Sequence, residues 1–324
     1  MSGEPVARQG KMSALDGWGE ALLFTLTLSV LNVAYGLGNQ LGVKPLAMLA
    51  WAMPSAAVML MLVGGLGHDW LRVMVHPLSL VVGAGIIGME AFYYLLLMHV
   101  TPTDGSILVR LGVPAAVLLG LLVRGRCPPP STALGAIVIT ATILWYLPQM
   151  QTSEAVTSLI LGGTCALIQS GRTFASEFHP WNRAARTIPE KMRITGLVLL
   201  STSLAGLALI AATIGGATHG WLMAPAWLPM PADLAYPPAI GLGLAVGVVV
   251  LTAMQYLAFS TVVKLGTESF IATTALIPVA TLAVQELAVR AGLLSPIPFD
   301  WSVFPAMAGV IAGVALVIAG QRRR

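Results

Sequence analysis

The chain has 324 residues, of which 57% are hydrophobic and only 9% charged, with 34 Gly, 21 Pro and a net charge of +4. A soluble globular domain carries about 25% charged residues, so this balance excludes one and points to a chain that crosses a bilayer many times. The basic residues lie in short separate clusters between apolar runs, so the net charge does not imply nucleic-acid binding and no nucleic-acid partner is expected, and the two cysteines, Cys127 and Cys165, lie in different segments and suggest neither a disulfide nor a metal framework.

Crossing about 30 Å of hydrocarbon takes about 20 residues of helix. Ten apolar runs near that length are predicted as spans: 19–41, 46–66, 78–99, 105–124, 132–149, 155–176, 194–215, 238–261, 268–289 and 303–320. The first has no small-residue cleavage site behind its basic start, so it reads as an uncleaved helix after a cytoplasmic segment, 1–18. It carries Asn32, Tyr35, Gly36 and Asn39 at i, i+3, i+4 and i+7, which is one helical face.

The third run holds Glu90 in mid-span, with Tyr93 and Tyr94 after it, and the fourth holds Arg110. A charge at the bilayer centre costs at least about 2.5 kcal/mol, which makes each a functional candidate. Counted from the turn near Pro102, the two lie within about 6 Å in depth. Three readings stand: they pair in the mechanism, Arg110 holds a substrate carboxylate while Glu90 exchanges protons, or they form a structural ion pair that pins the hairpin.

The sixth run repeats the polar spacing of the first with Gln169, Arg172, Thr173 and Ser176. Two such stripes suit a water-accessible path, because polar groups facing lipid go unsatisfied; the alternatives are interhelical packing bonds and, for Arg172 near the cytoplasmic end, snorkelling to headgroups. In the eighth run, Gln255 and Tyr256 could line the same cavity. Lys264 and Glu268 flank the next turn as a solvated or gate-closing pair. The pairs Gly243/Gly247 and Gly309/Gly313 allow close helix approach, within one chain or between two copies in a homodimer.

Charge sets orientation. With both termini cytoplasmic, the inner side carries Arg8, Lys11, Arg72, Arg124, Arg126, Arg183, Arg186, Lys191, Arg193, Lys264 and Arg322 to Arg324, and the outer side only Lys44 and Arg290. This asymmetry is what the positive-inside rule expects of an even number of spans. The long outer connection, with Trp221, Trp227 and Tyr236, reads as an interfacial aromatic segment, a passive surface loop or a lid.

Residues 79–126 laid over 243–290 give nine identities in 48 positions, among them Gly83 with Gly247, Thr103 with Thr267 and Pro114 with Pro278. Asp104 falls on Glu268, each opening a helix that holds its Pro ten residues on. Five helices per half is an odd number, so the second copy is inverted. The expectation is an all-α polytopic membrane protein of ten transmembrane helices in two inverted five-helix repeats, 19–149 and 155–320, with a basic tail at 321–324.

The hairpins with Pro in their second helix (LVRLGVPAAVLLGLLVRGR and ATTALIPVATLAVQELAVR), the Gly-bearing helix after each (GAIVITATILWYL and GVIAGVALVIAG) and the basic C-terminal end resemble the drug/metabolite transporter superfamily, in particular its EamA-like bacterial exporters. The resemblance covers about residues 19 to 320. It implies a secondary transporter of the inner membrane that exports a small metabolite, an amino-acid-like compound or a drug, by alternating access. The third, fourth, eighth and ninth helices, with the first and sixth, surround the cavity, and the fifth and tenth lie outside it. Arg124 stands where the family often has Glu, as Glu286 does in the second half, and Trp51 where many relatives carry a basic residue.

There is no HExxH, GxSxG or GxxxxGK[ST], and the five His are dispersed, so no enzyme activity, cofactor or metal is expected. The expected partners are a small solute and the lipid bilayer. The alternative function is a non-transporting scaffold or a partner of a lipid-intermediate enzyme.

Overall fold

The structure, a computed structural model, describes residues 4–321 apart from 126, 151–153, 222, 224–227 and 297–299; side chains before Gly17 and those of Arg124 and Gln321 are likewise outside the description. Ten helical rods follow one another: α1 (Glu4–Gln40), α2 (Pro45–Gly64), α3 (Pro77–Leu96), α4 (102–124), α5 (Pro130–Tyr146), α6 (Ala155–Phe178), α7 (Ile188–Thr218), α8 (237–265), α9 (267–290) and α10 (Val303–Gln321). No strand occurs among the described residues. Each rod overlies one predicted run.

The differences in boundary have local causes. α4 starts at Pro102 because Thr101 Oγ1 accepts from Asp104 N (3.1 Å) and Pro fills the first turn, where an N–H is not needed. α7 starts at Ile188 because Thr187 and Glu190 form a capping box, legible in the sequence TIPE. α1 is helical from Glu4, so the backbone of the expected lead segment is largely continuous with the first rod.

Both α4 and α9 are broken midway. Pro114 has no N–H for the carbonyl of Arg110, and Pro278 has none for that of Thr274. At each place the chain tightens into a 3-10 turn, Val109–Leu111 and Thr274–Leu276, after a helix of seven residues. α8 contains instead a π-helical stretch, Val246–Leu251, where Thr252 Oγ1 donates to the carbonyl of Gly247 (2.9 Å).

The rods pair in a regular way. α1 packs on α8 and α9, and α6 on α3 and α4; α2 packs on α7 and α8, and α7 also on α3; α4 meets α9, and α5 meets α10. Gly243 and Gly247 lie against Met48 to Ser55 of α2, and Gly309 and Gly313 against Ile139, Thr142 and Gly135 of α5, so these glycines seal contacts inside one chain. Large apolar side chains such as Leu62, Leu122, Val156 and Leu209 face outward, while Asn32, Glu90, Arg110, Gln169 and Gln255 are buried. Such inverted polarity is what a hydrocarbon surrounding requires.

Among the described residues nine helices are long and apolar enough to cross a membrane. α6 falls short, because Gln169, Ser170, Arg172, Thr173 and Ser176 crowd its second half and turn into the protein. The chain is an all-helical polytopic membrane protein. Of the basic residues counted above, Arg126 and Arg322 to Arg324, and the side chains of Arg8, Lys11 and Arg124, lie outside the described residues, as does Trp227.

Candidate functional site

The centre of the bundle is built on α3. Glu90 is fully buried, and its Oε2 accepts from the Tyr35 hydroxyl of α1 at 2.8 Å. The Tyr35 ring stacks on Tyr94 at 4.9 Å and lies 6.4 Å from Tyr93. Tyr94 donates to the carbonyl of Val43 (3.0 Å), through a gap that Gly38 leaves by lacking a Cβ. Three rings thus gather at one carboxylate, whose second oxygen, Oε1, finds no partner among the described residues, nor does the buried Tyr93 hydroxyl.

α6 brings the opposite charge. Arg172 does not snorkel: it is buried, its stem crosses α3 at Gly85, its Nη2 meets the Met89 sulfur at 3.3 Å, and Nε is unpartnered. Its charge acts on Glu90 without an ion pair inside 4 Å. One turn earlier, Gln169 is 1% exposed and both amide atoms lack partners among the described residues. Cys165, another turn back, places Sγ 3.9 Å from the Met89 carbonyl. A buried guanidinium, a carboxamide, a carboxylate oxygen and a phenol therefore share the α3–α6 contact with hydrogen-bonding capacity unused, which buried polar groups ordinarily do not leave.

Arg110 departs from expectation. It is buried but does not pair with Glu90. Nε donates to the carbonyl of Ser106 (3.0 Å), and Nη1 donates to both the carbonyl and the hydroxyl of Thr274 on α9. Depth from the turn placed the two charges within about 6 Å, but depth says nothing of direction, and from the 3-10 turn Arg110 reaches α9. Asn32 donates to Thr281 Oγ1 (3.1 Å) and keeps Oδ1 unpartnered; Gln255 is wholly buried with both amide atoms unpartnered. Asn39 donates to the carbonyl of Leu97 (2.8 Å), beside the 41–44 turn that the Tyr94 hydroxyl also reaches. Tyr256 is only half-buried and sits toward Ser260 and Glu20, away from the three rings.

Bonds between elements are found toward both ends of the bundle. At the end bearing the 177–187 connection, Glu177 accepts from the backbone N (2.9 Å) and hydroxyl (2.6 Å) of Thr267, capping α9. Lys264 pairs with Glu20 at 2.7 Å rather than with Glu268, which reaches over Gly120. His179 there is buried: Nδ1 accepts from Asn182 N (3.3 Å), which assigns the proton to Nε2 and makes it the donor to Ser79 Oγ (2.8 Å). Burial, with His76 beside it, pushes this imidazole down to about 4.

At the opposite end, Thr103 donates to Gln285 (3.0 Å), Tyr146 to Asp104 (2.6 Å), and Lys44 pairs with Asp233 at 2.8 Å. A depression of about 470 Å³ lined by Asn39, Lys44, Leu97 and His99 opens there. Glu286 pairs with Arg290 (2.9 Å), and Asp69 lies 3.8 Å from Arg72, both exposed. No group of three metal-ligating side chains occurs among the described residues.

Two participants were not singled out from the sequence. Cys165 reads as a small apolar residue there and only its neighbours reveal its place. Thr274 had a signal: the repeat alignment that sets Thr103 on Thr267 sets Arg110 on Thr274.

No family model matches the chain, and no curated protein matches it. A solved structure, described only as a crystal structure of a protein, is similar over 97% of this chain and 99% of its own, with a TM-score of 0.58 at 18% identity. That likeness concerns the fold alone.

Proposed function

We propose that the chain is a secondary transporter of EamA-like type, with ten spans in two inverted five-helix halves, which carries a small zwitterionic metabolite by alternating access. The observation that carries this reading is the buried α3–α6 centre, where Glu90, Tyr93, Gln169 and Arg172 keep unused hydrogen-bonding atoms. An occupant that offers an acceptor to Arg172 and Gln169 and a donor to Glu90 satisfies them together, and three tyrosine rings favour a cationic group beside the carboxylate.

The pairing of the rods supports the inverted halves. Adding five to the rod number in the first half, or subtracting five in the second, turns every contact named above into another that is present: α1–α8 into α6–α3, α1–α9 into α6–α4, α2–α8 into α7–α3. A site between repeats near mid-depth, with separate sets of bonds toward its two ends, is the arrangement that rocking of halves opens on one side at a time. Glu90 is the proton carrier in this scheme.

The test is solute counterflow in proteoliposomes with a panel of amino acids and drugs, with and without a proton gradient. The wild type is expected to move a zwitterion with pH dependence, and Glu90→Gln to fold and lose that dependence. Unchanged pH dependence in the variant removes Glu90 from the mechanism; no movement of any solute under either condition contradicts transport itself.

A further inference from the structure

The use made of Arg110 goes beyond the transport reading and does not depend on it. α4 and α9 run antiparallel and meet at their breaks: the first part of each packs against the second part of the other. Each break ends a seven-residue helix, Pro102–Leu108 or Thr267–Thr273, whose carbonyl end carries partial negative charge into the middle of the bundle. Pro278 removes the usual donor to the Thr274 carbonyl. Ile277 N–H reaches that oxygen through the tighter turn, and the carbonyl's other side is left for a donor from outside the helix. Thr274 Oγ1 spends its proton on the carbonyl of Ile271 (2.6 Å) and so also presents a lone pair.

We propose that Arg110 is a built-in cation that latches the two broken helices to each other, serving the carbonyl end of its own half-helix with Nε and that of α9 with Nη1. Among the described residues no carboxylate lies within 4 Å of it, so its charge is balanced by these backbone dipoles. A planar fork of donors serves both helices at once, which a single ammonium does not. The latch joins positions that the alignment of the halves makes equivalent.

The test is a double-mutant cycle on the full chain purified in detergent, read as the midpoint of thermal unfolding. Pro278→Ala returns a backbone N–H within reach of the Thr274 carbonyl. Arg110→Met is expected to lower the midpoint in the wild type, and to lower it by less than half as much in the Pro278→Ala background. Equal drops in the two backgrounds overturn the latch. Should Arg110→Met fail to accumulate, its recovery by Pro278→Ala supports the latch and failure in both backgrounds counts against it; Arg110→Lys, run through the same cycle, must show the same non-additivity. Since no solute is involved, this outcome is independent of the counterflow result.

Discussion

At the scale of single residues, the centre depends on small side chains that make room for charged ones. A Cβ added at Gly85 would lie 2.6 Å from the Cβ of Arg172, whereas one at Gly88, a turn away on the same helix, meets nothing closer than Ile168 Cδ1 at 3.7 Å. Gly85→Val is therefore expected to destabilise the protein by about 1–3 kcal/mol, the usual cost of overpacking. Gly88→Ala is expected to be neutral or slightly stabilising through helix propensity. Thermal unfolding of the two purified variants checks this, and equal effects would show that Arg172 does not lie across Gly85.

His179 makes a second residue-scale prediction. Folded, it stays neutral down to about 4 because it is buried beside His76; unfolded, it titrates near 6.5. Below about 6.5 the unfolded chain binds a proton that the folded chain does not, so stability falls as pH drops from 6.5 toward 4, by on the order of 2 kcal/mol at pH 5. Unfolding midpoints at pH 7 and pH 5 measure it. His179→Gln is expected to show a smaller fall, and an unchanged fall assigns the effect to other groups.

At the scale of elements, the ten rods were legible because a span needs a fixed length of apolar chain, and the breaks in α4 and α9 because Pro114 and Pro278 each remove a particular hydrogen bond. The π-helical stretch in α8 was not legible: Val246–Leu251 is an unbroken apolar run with no Pro, and it packs closely on α2. Gly247 marks that contact, since its added Cβ would stand 2.3 Å from the carbonyl of Ala52. Gly247→Val is expected to lower the unfolding midpoint, while Gly241→Ala, with nothing within 4 Å, leaves it unchanged or higher. What the sequence marked is that Glu90, Arg110, Gln169, Arg172 and Gln255 are buried; how they pair was not legible. Burial cost marked Glu90 and Arg110, and the polar stripe marked Arg172, but which charge faces which depends on helix rotation, which goes with distant contacts such as Gly85 against Arg172 and Thr274 against Arg110. Tyr256 and Asn39 were placed at the site by residue type and spacing; Tyr256 is only half-buried and turns toward Ser260 and Glu20, and Asn39 is spent on the carbonyl of Leu97.

At the scale of the whole molecule, the chain turns its apolar side chains outward and gathers its polar ones where rods of both halves meet. If those halves rock, the centre must meet water from each side in turn, and the molecule carries its own reporter there: Cys165, buried beside Met89 and one turn from Gln169. Cys127 is exposed, so Cys127→Ser leaves Cys165 as the one thiol. The most direct measurement is labelling of Cys165 in this variant by a membrane-impermeant thiol reagent, applied separately to right-side-out and inside-out vesicles. The account requires slow labelling from both sides, suppressed by a transported solute; a Cys165 that stays silent from either side until the protein is unfolded contradicts it.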